Sequence, residues 1–531
     1  MDRRNFLKLG AAAGAAAAVQ RPTNAAARPK PPVVLEPLNP TGSPTLPDDV
    51  SRHVLVIGGG LAGLSAALEL VERGYKVTLK EASSVFGGRL ATRKLETGAG
   101  TFNVEHGIHM WFHNYHNFKD IRDRLGLNES FVPYNEVHFV FRDYEPETLK
   151  SEPPIYPLNL IQLLRRSPNL SLFSAFRQLG LLTDVIGYNH DTVFDKLDLE
   201  TFESWASTRV SKTFYELIMQ PAASVTLNNT ELVSAAEMLQ MMHLFFMSDP
   251  RAMNREITTV DHGTAIIDPW VRYLSEMGVK IMPDTPVSGL VFENGCPVGE
   301  VDDDARYDWV VLATAVPGVK AIMAGSVAND AHSETVLTGL RERADQLKIA
   351  PPYRIVRYWL DRKPSVDVPD VIESPQHPPI NLAVQYHLLE EESAQWAERT
   401  GGSIIELHLY ANPEITAMDE DSLWPLLRST VDELLPGLGD ARVLGQTVGT
   451  YEDFTSYETG QGLLRPRSSF IFELGGDRLS LAGDWVKTNY PAALMEKAVS
   501  TGREAANLCM FNDDVREAPL VVTNSRGPGL I

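Results

Sequence analysis

Along the pattern of apolar and polar positions, the first clear apolar run begins at His53 and is followed at once by glycines. His53-Val54-Leu55-Val56-Ile57 is nearly continuous in apolar residues and short, which predicts a parallel strand buried on both faces. After Gly58-Gly59-Gly60 the period changes. Leu64, Ala67, Leu68 and Val71 recur at helical spacing, and Gly74 ends the pattern. Lys76-Val77-Thr78-Leu79-Lys80 predicts a second strand with Glu81 at its carboxyl end. Far downstream, Leu479-Ser480-Leu481-Ala482-Gly483-Asp484 reads as a strand ending in Gly-Asp. Pro491 is expected to open a helix through Leu494, Ala498 and Ala505. Strands alternating with helices predict an α/β fold around a parallel sheet.

The glycines give the first unit its chemistry. Gly58 permits a tight turn, Gly60 lets backbone approach a pyrophosphate, and Gly63 lets helix and strand pack closely. The helix N-terminus at Leu61 and Ala62 offers free N–H groups and positive potential to phosphates. Glu81 stands where a carboxylate accepts ribose hydroxyls. Directly behind it, Gly87-Gly88-Arg89 supplies a second backbone nest and a guanidinium. That pair suits a pyrophosphate held permanently, and so FAD rather than NAD.

Composition adds limits. The 531 residues are 44% hydrophobic and 22% charged, the balance of a globular protein with two intertwined domains. No stretch reaches the ~20 apolar residues of a spanning helix. A net charge of −21 argues against nucleic acid, although apolar patches still allow peripheral membrane contact. Cys296 and Cys509 are the only cysteines, so neither a disulfide framework nor a thiolate metal site is expected. Arg3-Arg4-Asn5-Phe6-Leu7-Lys8, an Ala/Gly-rich run and Ala25-Ala26-Ala27 have the layout of a twin-arginine export signal over residues 1–27. Such a leader implies export to the periplasm or another extracytoplasmic site. The alternative is a plain basic tail. Residues 28–50, rich in proline, read as an extended linker.

Taken together, these motifs resemble the flavin amine oxidase and carotenoid desaturase superfamily, whose members have the two-dinucleotide-binding-domain flavoprotein fold. The resemblance runs from about residue 52 to 510. It implies that Arg89 contacts the FAD phosphates, that Gly483 and Asp484 bind the ribityl chain, and that the last helix aims its N-terminus near Met495 at the flavin. Val287, after the strand Val279 to Met282, matches the residue that clamps adenine. Tyr307 to Thr314 matches the strand that returns to the FAD domain. Glu105 to Phe112 with Tyr115 and Asn117, and Gly483 to Tyr490, look like segments of plant-type phytoene and ζ-carotene desaturases. Pro491 to Ala498 and Arg399 to His408 look more like isorenieratene synthases, which desaturate β-carotene and shift a methyl group.

The resemblance implies a discontinuous FAD domain at 51–130, 255–320 and 462–511. A substrate domain of helices and antiparallel sheet is expected at 131–254 and 321–461, with a C-terminal tail at 512–531. The implied reaction is hydride transfer to flavin N5 from a carotenoid or related isoprenoid, with a quinone or dioxygen as final electron acceptor. Alternatives within the superfamily are a hydroxysqualene dehydroxylase or an amine oxidase; outside redox chemistry, a polyene isomerase or carrier. Residues 155–187 mix leucines and phenylalanines with Arg165, Arg166 and Arg177, and read either as a membrane-docking entrance or as a buried helix pair. His106, His109, His113 and His116 would share one face of a helix and could hold a metal there. No Cys or carboxylate pairing accompanies them, and the resemblance puts His106 and His109 in extended backbone beside the flavin, so no metal is assigned. His109 and Lys487 are the catalytic candidates. Lys487 would hold a water at the flavin, or else is a surface lysine at a helix end.

Overall fold

The computed structural model describes residues 31–150, 165–170, 184–224 and 226–527. The leader and most of the 155–187 segment lie outside these residues. A five-stranded parallel sheet forms the centre of the first domain. Its order is Lys280–Met282, Lys76–Lys80, His53–Ile57, Trp309–Leu312 and Leu479–Leu481. The last four residues of His53–Ile57 are buried, as an apolar run sandwiched between layers must be. On one face lie helix Leu61–Val71 and the C-terminal helix Leu494–Asn512. These two helices nearly touch at Gly502, where a Cβ would stand 2.1 Å from the Ala62 carbonyl oxygen.

The other face has its own cover. Leu55, Ile57, Val310, Leu312 and Leu481 pack against Val319, Ile322, Val336 and Leu340. Those partners lie in helices Val316–Gly325 and Ala331–Gln346. The second segment of this domain therefore runs past residue 320, where the sequence placed the boundary. A parallel sheet needs cover on both faces, and these helices provide it. A four-stranded sheet continues the same side, with Val327–Ala328 paired to Leu290–Glu293.

The second domain is built on a seven-stranded, mainly antiparallel sheet. Its order is Val443–Tyr451, Tyr353–Leu360, Ser403–Leu409, Leu382–Gln385, Val371–Glu373, Glu136–Phe139 and Glu147–Lys150. Helix Glu391–Thr400 ends at Gly401, whose φ of 73° turns the chain into strand Ser403–Leu409.

Two expectations change, and one open alternative falls away. The C-terminal helix begins at Leu494 and not at Pro491. The Ala492 carbonyl is instead taken by the Gln240 side chain, and Leu494 adopts φ 54°, re-aiming the chain as the helix starts. The proline-rich stretch is extended, yet it is no free linker. Val33–Leu35 pairs antiparallel with Leu520–Val522 of the expected tail, and Leu46 enters the core. The four histidines do not form a helical face. His106 and His109 sit in a loop, His113 follows the short strand Trp111–Phe112, and His116 opens helix His116–Leu125.

Candidate functional site

The site grows from the carboxyl ends of the parallel strands. Gly58 adopts φ 107°, and a Cβ there would lie 2.7 Å from the Ala313 carbonyl oxygen. At Gly63 a Cβ would lie 1.8 Å from the Gly58 carbonyl oxygen, so only hydrogen fits between helix and strand. Gly60 is different. A Cβ there would meet nothing nearer than 3.9 Å, and that neighbour is the second nest, Gly87 and Gly88. Gly87 and Gly88 have φ of 111° and 58°, and the Gly87 N–H donates to the Gly59 carbonyl at 2.8 Å, which ties the two glycine turns together. Two glycine turns thus meet beside the first turn of the helix, where the N–H groups of Leu61 and Ala62 have no intrahelical acceptor. A side chain at Gly60 would fill this cradle.

Glu81 ends the second strand. Its two oxygens accept from Gly59 N and Ser83 N at 2.7 and 2.8 Å, which leaves further lone pairs for hydroxyl donors. The loop before Val287 lies against it: Thr285 N donates to the Glu81 carbonyl, and Val287 packs on the core beneath the sheet.

At the other end of the cradle, Arg89 Nη2 meets Asp484 Oδ2 at 2.7 Å, and its guanidinium lies 4.8 Å from the centre of the Phe454 ring. Burial opposes the Asp484 charge, but Arg89 holds its carboxyl below the usual range. Gly483, at φ 135°, donates its N–H to Thr501 Oγ1 on the C-terminal helix. Met495 lies in that helix's first turn and packs on the same core. This set suits an elongated diphosphate: nests for phosphate, a guanidinium beside them, and carboxylates for hydroxyls at either end.

Across from Arg89 stands a buried polar network on the seven-stranded sheet. Arg357 donates Nε and Nη2 to Glu406 Oε2 at 3.0 and 2.8 Å and stacks on Tyr386, 3.6 Å from the ring centre. Glu406 Oε1 pairs with His408 Nε2 at 2.8 Å and accepts from Ile108 N. Glu105 Oε1 meets His262 Nδ1 at 2.5 Å. This network fixes the loop that carries His106 and His109. His109 Nδ1 donates to the Gly107 carbonyl at 2.9 Å, and its ring meets His262 edge-on. Burial, with His262 beside it, pushes the His109 pKa down to about 3, so it is neutral at pH 7.

Lys487 occupies another place. It lines a separate cavity of about 10 Å³, room for one water, together with His190, Gln240, Arg465, Thr488 and Lys497. Burial and Arg467 lower its pKa. The structure therefore groups His109 with Arg89 and leaves Lys487 in the second cavity. Tyr353 and Asp453 escaped the sequence reading, and Glu105 and Lys497 stood in its motifs without a role. Each acquires its setting through partners distant in sequence, so no local spacing marks it. Lys497 is buried, and burial lowers its pKa to about 7.

Comparison with known proteins bears on this geometry. Residues 61–510 match the family described as flavin containing amine oxidoreductase, and residues 1–19 match the twin-arginine translocation pathway signal sequence. The chain is 26% identical to a carotenoid phi-ring synthase of Chlorobaculum tepidum, over 90% of this chain and 91% of that one. It is 28% identical to a carotenoid phi-ring synthase of Streptomyces griseus, over 87% and 88%. The fold is shared with putrescine oxidase bound to putrescine, at a TM-score of 0.61 and 12% identity, covering 87% of this chain and 99% of that one.

Proposed function

Since this chain belongs to the flavin containing amine oxidoreductase family, we propose that it is an FAD enzyme that desaturates a carotenoid or related isoprenoid, with aromatisation of an end ring as the further step. The flavin cofactor is common to the family; FAD is the form the two nests and Glu81 favour, because they give a second nucleotide half its place. In this reading Gly58, Gly60, Leu61, Ala62, Gly63, Gly87, Gly88 and Arg89 hold the diphosphate. Glu81 takes the ribose and Val287 lies against adenine. Gly483 and Asp484 take the ribityl chain, and the helix start near Met495 faces the flavin ring. Bound there, FAD supplies a hydride acceptor. The positive end of helix Leu494–Asn512 favours negative charge beside it, and the buried network around His106 and His109 excludes water.

The observation that carries the substrate class is the end-to-end likeness to two carotenoid phi-ring synthases, over about nine-tenths of each chain. A long polyene also suits apolar burial, at ~0.8 kcal/mol per CH₂. The twin-arginine signal supports export of the folded, cofactor-loaded protein to an extracytoplasmic site, where a quinone or dioxygen is the acceptor. The test is to incubate the purified yellow protein with C40 carotenes and analyse the products by mass. The expected product is lighter by two hydrogens per turnover. Carotenes recovered unchanged, with oxidation of amines instead, would contradict the proposal.

A further inference from the structure

His106, Tyr353 and Asp453 come from a loop, the start of strand Tyr353–Leu360 and the segment just past strand Val443–Tyr451, yet they form a continuous chain. His106 Nε2 lies 2.6 Å from Tyr353 Oη, and Tyr353 Oη donates to Asp453 Oδ1 at 3.1 Å. The imidazole is held by stacking on Tyr451, with ring centres 3.4 Å apart and 26° between planes. Among the described residues its Nδ1 has no hydrogen-bond partner. Asp453 stands at the open end: a third of its side chain is exposed, against 11% for His106. We propose that this chain is the proton exit of the reaction, in which His106 takes up the proton that the substrate cation loses and Tyr353 passes one on to Asp453.

The inference rests on the isoprenoid reading above, because removal of hydride from an allylic carbon leaves a cation. A new double bond forms when the neighbouring C–H gives up its proton and its electron pair becomes the π bond. The base must be neutral and ready, but it need not be strong, since a C–H beside a carbocation is very acidic. His106 has that character. Burial keeps its pKa well below the usual histidine range, and His109, Arg89, Arg93 and His408 add to the effect. Asp453, the Tyr353 hydroxyl and the stacked Tyr451 ring also border it. The protons balance: one enters at Nδ1, the Nε2 proton moves to Tyr353 Oη, and the Tyr353 proton moves to the Asp453 carboxylate. His106 ends as the other neutral tautomer, and Asp453 releases its proton at the exposed end. His109 is less suited, because its Nδ1 is committed to the Gly107 carbonyl.

The test separates the two halves of the reaction in anaerobic single turnovers of the holoenzyme with a C40 carotene. Flavin bleaching reports hydride removal, and chromatography reports the desaturated product. For the unaltered enzyme, product forms in step with bleaching. In Tyr353→Phe and Asp453→Asn, bleaching should stay within about threefold while product formation slows about a hundredfold, the usual reach of general base catalysis. His106→Asn checks the first link by the same pair of readings. FAD content measured beforehand establishes that each variant is folded. Product keeping pace with bleaching in all three variants would overturn the relay, and so would equal loss of both readings. Failure of any isoprenoid to bleach the unaltered enzyme would instead remove the isoprenoid reading, and the relay with it.

Discussion

Glu81 shows how one side chain serves two tasks. Its oxygens tie Gly59 and Ser83 together, and in the proposed site the same carboxylate also takes the ribose. Glu81→Ala should weaken FAD retention by about 1.5–3 kcal/mol, the scale of a hydrogen bond to a charged group. Equilibrium dialysis measures it, and undiminished affinity would remove Glu81 from the site. Glu81→Gln, which keeps one acceptor oxygen, should fall between. His190 offers a test of acid behaviour. It is buried, bonded to Tyr188 and the Thr488 carbonyl, and burial lowers its pKa to about 4. The unfolded chain then binds a proton between about pH 6.5 and 4 that the folded protein refuses. Its stabilising contribution is present above pH 6.5 and is lost as pH falls toward 4. Between pH 7 and 5 the unaltered protein should lose about 2 kcal/mol relative to His190→Gln, at about 1.4 kcal/mol per pH unit. Denaturant melts at both pH values measure the gap, and an unchanged gap would contradict it. The glycines, Glu81 and Arg89 were legible in the sequence because their meaning depends on neighbours a few residues away. Tyr353 and Asp453 were not, because 100 residues separate them and His106 is farther still.

Among elements, helix Leu494–Asn512 joins the most parts. Gly502 brings it against helix Leu61–Val71, and its first turn carries Glu496, whose oxygens accept from Asn117 N and Phe118 N at 2.8 and 3.2 Å. Those N–H groups are the donors without intrahelical acceptors at the start of helix His116–Leu125, so one helix caps another across nearly 380 residues. Glu496→Ala should cost about 2 kcal/mol, as loss of a helix cap does. Gly502→Ala would drive a methyl group into the Ala62 carbonyl. It should cost about 1–3 kcal/mol, as overpacking does, and loosen FAD because both helices border the cradle. Thermal melts with and without added FAD would show both effects; a Gly502→Ala protein with unaltered melting would contradict the close crossing. The sequence displayed the apolar face of this helix but not its starting point. Pro491 is a common first helical residue, but here a tertiary bond from Gln240 claims the next carbonyl.

At the scale of the whole molecule, the two ends of the described chain meet. Val33–Leu35 pairs with Leu520–Val522, and Asn117 holds Val521 through both its N–H and its carbonyl. The segment behind the export signal is thus fastened to the folded body by the last strand. The sequence read these stretches as linker and tail because neither has a pattern that discloses its partner. For export, Arg3→Lys with Arg4→Lys should hold the protein in the cytoplasm; fractionation that finds the double variant exported as before would contradict a twin-arginine route. The central claim is that the flavin site oxidises an isoprenoid. Its most direct test is the flavin absorbance band of the anaerobic holoenzyme, recorded after mixing with C40 carotenes and, separately, with primary amines. The account predicts bleaching by a carotene and none by the amines. Bleaching by amines and by no isoprenoid would contradict it.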